Sequence, residues 1–147
     1  MRDPLYHADE FVTRAPQRLQ FLEERGFRHV AELDDARDPL GAVHYLGQNI
    51  GFCFYFDVRD QFVGLEIVEC HRGELIPRKE GGRSLDFIYY PRKKEFSNQP
   101  IQRNKSKKKE IRSLDNMIDI QASLLQQHGE ALLADPPLSD LQHLPWE

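Results

Sequence analysis

At 147 residues, 39% apolar and 30% charged, the chain is long enough to bury a core without disulfides or structural metal and too apolar to remain disordered. No run reaches the ~18 apolar residues of a membrane span, and the opening MRDPLYHADEF lacks an apolar signal core, so a cytoplasmic protein is expected, with Cys53 and Cys70 kept as thiols. The net charge of −4 is uneven: residues 92–112 hold nine basic side chains against Glu95 and Glu110, or +7, which leaves −11 on the remainder.

In chain order, Phe11, Ala15, Leu19 and Leu22 recur at helical spacing and predict a helix over 8–25, kinked or restarted at Pro16 and stopped by Gly26. A short strand is expected over 27–33, then the acidic loop LDDARDPLG, then a strand over 42–46 and a turn at Gly47-Gln48-Asn49.

The stretch GFCFYFDVRDQFVGLEIV, residues 51–68, is the most informative. A turn centred on Arg59-Asp60 sets Phe56 opposite Val63, Phe54 opposite Leu65 and Phe52 opposite Ile67. All six then share one face, as a half-buried antiparallel pair requires. The other face pairs Cys53 with Glu66, Tyr55 with Gly64, and Asp57 with Phe62. A slip of one residue would set Phe54 against Gly64 or Glu66, so the register is strongly specified.

Residues 72–84 read as a loop and 85–90 as a strand closed by Pro91. Residues 93–109 read as a mobile basic loop. Ile111, Leu114, Met117, Ile118, Gln121, Leu124, Leu125 and His128 predict a long helix capped by Gly129, with one further turn over 130–134. In the tail, 136–147, Trp146 either folds back as a clamp or stays loose. The expectation is one α+β domain over 1–147. It has four to five antiparallel strands, with an N-terminal helix and a long C-terminal helix on one sheet face.

Several chemistries are weighed against plain packing. GFCFYF shares Gly51, Phe52, Cys53 and Phe54 with the aromatic strand of RNA-recognition domains, but Ile50 and Asp57 break that pattern. The opposing Val63, Leu65 and Ile67 also make the row a core feature. Cys53, Cys70 and His71 lack the paired spacing of a zinc site, so no metal or cofactor is expected. Cys53 opposite Glu66 is a poor thiolate, and the six histidines form no evident triad, so no enzyme is expected. Arg92, Lys93, Lys94, Lys105, Lys107, Lys108 and Lys109 are the residues by which an alternative, a nucleic-acid-binding accessory protein, would grip phosphates. The −11 remainder opposes that partner. Edge-to-edge homodimerisation stays open, because the outermost strand is not identifiable from sequence.

The order of FLEERGF (21–27), the IGFCFYFDVRDQFVGLEI hairpin (50–67) and the SLLQQHGEALLAD helix (123–135) resembles small bacterial immunity proteins of polymorphic toxin systems. The resemblance implies a non-enzymatic protein that binds and neutralises a cognate toxin. Two acidic groups suit a cationic effector such as a nuclease: Asp34, Asp35 and Asp38 in the first loop, and Asp57, Asp60 and Glu66 around the hairpin. Tyr45, Tyr55 and Phe62 are the expected aromatic anchors.

Overall fold

A computed structural model describes residues 5–90 and 113–147. Six antiparallel strands form the sheet: β1 (Arg28–His29), β2 (Leu40–Leu46), β3 (Ile50–Asp57), β4 (Phe62–His71), β5 (Glu74–Leu75) and β6 (Ser84–Asp86). The order is β1-β2-β3-β4, with β5 and β6 pairing with successive stretches of β4. The β3–β4 register is the one that one-sided burial demands: Phe56 meets Val63, Phe54 meets Leu65 and Phe52 meets Ile67.

Those six side chains are buried and form the floor of the main core. Its roof is α1 (Ala8–Arg18) and α3 (Leu114–His128), which lie side by side on this face. Phe11 stacks on Phe56 with ring centroids 5.7 Å apart, and Phe27 tilts against Phe52 at 4.9 Å. Each such side chain contributes about 1.5–3 kcal/mol by leaving water. At the solvent rim the Arg18 guanidinium forks onto Asp119, at 2.7 and 2.6 Å.

Both helices start on identifiable caps. The Asp38 carboxylate accepts the Ala8 N–H at 2.8 Å and meets His7 Nδ1 at 2.8 Å, placing negative charge at the start of α1. Ser113 Oγ accepts the Asn116 N–H at the start of α3, and Gly129 closes that helix with its N–H on the Leu125 carbonyl. Glu130–Leu133 then adds the short helix α4.

Four expectations are corrected. The first helix runs through Pro16 but breaks at Leu19, and Gln20–Glu24 forms a separate helix, α2. A proline one turn before the break removes a ladder donor where the helix is already ending. The strand expected over 27–33 is only β1 followed by a 3₁₀ turn, Ala31–Leu33. The His44 N–H, a ladder donor a longer β1 needs, goes to the Asp34 carboxylate instead, at 3.1 Å. The strand expected over 85–90 stops at Asp86, whose side chain takes the Ile88 N–H and starts a 3₁₀ turn over Phe87–Tyr89. Six strands replace four to five, because part of the loop over 72–84 pairs as β5 and Ser84 begins β6. The basic loop expected over 93–109 lies outside the described residues.

The tail folds back. Glu147 and Ser84 exchange both backbone hydrogen bonds, Trp146 Nε1 donates to the Leu141 carbonyl at 2.7 Å, and the Arg83 guanidinium lies 5.7 Å over the Trp146 ring.

Candidate binding face

With both long helices on one sheet face, strand alternation sends every second residue of β2, β3, β4 and β6 to the other face. Register lays this outer face out in rows. Leu40, Asp57 and Phe62 form the first, at the β3–β4 turn, and Ala42, Tyr55 and Gly64 the second. His44, Cys53, Glu66 and Asp86 form the third, across four strands.

Tyr55 is the organising side chain. A Cβ on Gly64 would overlap its ring, so glycine is what lets the ring lie flat across β4. Its hydroxyl donates to Asp86 Oδ2 at 2.8 Å, and its edge meets Phe62 at 6.4 Å. Burial first, then the Asp86 hydrogen bond, push the Tyr55 phenol above its ordinary range.

Of the nine residues expected to bind a partner, the outer face or its hairpin tip carries Tyr55, Asp57, Asp60, Phe62 and Glu66. Asp57 also ties the turn by accepting the Arg59 and Asp60 N–H groups at 2.9 and 3.2 Å. Asp35 and Asp38 lie on the loop running along β2. There Asp35 pairs its backbone with Ala42 and its carboxylate with Arg37, while Asp38 caps α1. Asp34 is turned inward, its side chain 9% exposed, with His29 Nε2 at 2.7 Å and the His44 N–H on its two oxygens.

Tyr45 is a correction. It pairs with Phe52, which puts it on the core face, and it is fully buried. It cannot anchor a partner. Its hydroxyl has no hydrogen-bond partner among the described residues, and burial raises its pKa. The alternative phosphate-binding set, Arg92, Lys93, Lys94, Lys105, Lys107, Lys108 and Lys109, lies outside the described residues.

Beside the third row, the segment from Leu75 to Ser84 borders an open hollow of about 320 Å³ on the outer side of β4. Cys53, Glu66 and Val68 supply its sheet side, while Leu75, Ile76 and Pro77 face them. Arg78 donates to Ser84 Oγ at 3.2 Å, and Arg83 is paired with Glu69 at 3.3 Å. Burial, then Asp86, raises the Glu66 pKa, with Ser84 and Arg78 opposing. Burial, then Glu66 and Asp34, push the Cys53 thiol up to about 12. A thiol that keeps its proton at neutral pH is not a nucleophile. His44 borders the hollow, and burial lowers its pKa. Its Nδ1 is buried without a hydrogen-bond partner among the described residues. Among those residues no group of three His, Cys, Asp or Glu side chains could hold a metal ion, and no helix is long and apolar enough to cross a membrane.

Sequence reasoning singled out Glu66 and Cys53 but missed His44, Ser84 and Asp86 as their neighbours. Only the β4–β6 register brings Ser84 and Asp86 alongside, and no turn signal in 72–84 encodes it.

The raised Glu66 pKa gives a signed expectation. Its charge opposes folding, so its favourable contribution is complete below the ordinary Glu value and is lost as pH rises through the raised folded value. Glu66→Gln is therefore expected to stabilise the protein at pH 7 and to lose that advantage by about pH 4. Urea unfolding at both values measures it.

The geometry defines an α+β protein whose antiparallel sheet has helices on one face, while the other is closed at one end by a second buried cluster of Val30, Leu46, Cys53, Val68 and Cys70 and presents Leu40, Tyr55, Phe62 and acidic side chains towards the β3–β4 turn. Comparison of the chain with protein-family models, curated proteins and solved structures gives no match.

Proposed function

We propose that the protein is a non-enzymatic inhibitor of the immunity type, acting in the cytoplasm by binding a cationic protein toxin, such as a nuclease, on its outer sheet face. The observation that carries this reading is the composition of that face. Leu40 is 49% exposed in the first row. Tyr55 and Phe62 are half-buried beside it, with Asp57 in the same row and Asp60 in the turn that joins β3 to β4. An apolar and aromatic centre inside a charged rim is the usual anatomy of a specific protein interface. Such contacts bury about 1,200–2,000 Å². The chain carries a net charge of −4, with −11 outside residues 92–112, and that acidic part favours encounter with a basic partner.

The mechanism needs no reaction. A sheet fixed by register and by the Tyr55–Asp86 bond presents these side chains with little ordering left to do, which lowers the cost of association. The bound protein then shields the toxin's catalytic surface. Co-expression with the product of the neighbouring gene tests the proposal: rescue of growth is expected. A harmless neighbour, or one that still kills, contradicts it. Within such a complex, the double variant Leu40→Arg with Asp60→Arg is expected to weaken binding at least about tenfold, mainly through slower association. Titration calorimetry and stopped-flow at low and high salt read both effects.

A further inference from the structure

We propose that residues 31–39 form an acid-sensitive flap on the edge of β2, held shut through Asp34 and released when the His44 ring takes a proton. The device is separate from toxin binding and needs no partner.

Packing leaves the segment easy to lift. Every residue from Ala31 to Leu40 is at least partly exposed, and the 3₁₀ turn Ala31–Leu33 buries no side chain. Polar ties hold it instead. Asp35 and Ala42 exchange both backbone hydrogen bonds at 2.9 Å. Asp34 gives one carboxylate oxygen to the His44 N–H at 3.1 Å and sets the other against His29 Nε2 at 2.7 Å. At the far end Asp38 accepts the Ala8 N–H and meets His7 Nδ1. Segments with few apolar contacts and peripheral hydrogen bonds are the first to open. Strand β1 covers β2 only at Tyr45 and Leu46, so the flap occupies the edge at Ala42 and His44. It thereby blunts an edge that another strand could pair with.

His44 supplies the trigger. Its N–H is bonded to the flap, its ring is half-buried on the outer face, and Nδ1 is buried with no hydrogen-bond partner among the described residues. In an imidazolium both nitrogens donate, and here Nδ1 would meet no acceptor, which is costly for a buried charged group. The groups around the ring are mixed in sign. His29 and Asp34 face it from the β1 side, Cys53, Glu66 and Asp86 share its row, and Arg78 and Arg83 line the hollow it borders. Burial opposes the proton most, Asp34 favours it, His29 opposes it and the Leu33 carbonyl favours it, with the pKa lowered on balance. The closed flap therefore favours neutral His44. Its stability is complete above the ordinary histidine value and declines as pH falls from there to the lowered folded value. The other end responds in the opposite sense: the Asp38 hydrogen bond raises the His7 pKa, so acid strengthens that tie and leaves Asp38 as the hinge.

Native-state hydrogen exchange of the whole labelled chain, run from about pH 7.5 to about pH 5 and corrected for intrinsic rates, tests the flap. The amides of Val30, Asp35, Ala42 and His44 are expected to lose protection on acidification at least about threefold more than those of β3 and β4, while Ala8 keeps its own. The midpoint should coincide with the titration of the His44 ring, followed by carbon-13 shifts in the same sample. His44→Gln, which cannot titrate, should flatten the pH dependence of the other three amides and of position 44, whereas His29→Gln should leave it in place. A uniform loss across the sheet, a midpoint that misses that of the ring, or a pH profile that survives His44→Gln or vanishes in His29→Gln overturns the proposal. If His44→Gln does not fold, the two midpoints in the wild-type protein decide by themselves.

Discussion

Phe54→Ala is expected to remove about 3–5 kcal/mol of folding stability, enough to unfold much of a protein whose total is ~5–15 kcal/mol. Phe54 is fully buried at the centre of the sheet, with Val43 and Leu65 as its cross-strand neighbours. It sits midway along a row of three phenylalanines, so its loss opens a void the neighbouring strands cannot close. The control is the next residue. Tyr55→Phe, pointing to the opposite face, deletes only the hydroxyl contact with Asp86 and should cost about 1 kcal/mol. Two adjacent residues with such unequal effects in urea unfolding are the signature of a main core that lies on the Phe54 side of the sheet. Similar losses at both would mean that the faces are misassigned.

The second large effect is expected at Asp135, far from either acidic group. Its carboxylate accepts three backbone N–H groups of the β2–β3 turn: Gln48 at 2.6 Å, Asn49 at 3.0 Å and Ile50 at 3.1 Å. Its carbonyl takes Asn49 Nδ2 at 2.9 Å. One side chain thus ties the end of α4 to the hairpin, at a spot so close that a Cβ on Gly47 would fall 2.7 Å from Asp135 Cγ. Asp135→Ala should cost about 2–4 kcal/mol, since charged acceptors are worth more than neutral ones and the orphaned donors keep part of their desolvation penalty. Asp135 also has φ 55, a left-handed conformation that alanine resists and glycine accepts. Asp135→Gly therefore isolates the carboxylate from the backbone effect, and Asp135→Asn, which retains one acceptor, should fall between the wild type and glycine. Calorimetric unfolding ranks the series, and hydrogen exchange should show the amides of 48–50 opening first.

Much of this fold was legible because local chemistry and long-range packing agreed. The hairpin register followed from two apolar rows that fit in only one alignment, and α3 carried its stop signal at Gly129. What was not legible has a common cause, competition settled at a distance. In AVHYL both Val43 with Tyr45 and His44 with Leu46 are plausible inward pairs. Only the pairing of Tyr45 with Phe52 decides it, and so a residue expected on the surface lies in the core. Strand β1 is short because the Asp34 carboxylate takes the His44 N–H. The acids of the first loop read as a free negative patch, yet Asp34 and Asp38 bond mainly to the protein's own backbone and histidines. The hollow beside Glu66 depends on a loop lying along the outer side of β4, which composition alone does not encode.

The most direct test of the binding-face account is a hydrogen-exchange and amide-shift footprint of the protein in complex with its toxin. The account predicts a one-to-one complex with protection along β2 and the β3–β4 turn, reaching Tyr55, Phe62 and Glu66, while α1 and α3 exchange as in the free protein. Protection centred on the two helices, with the outer sheet face unchanged, would contradict it.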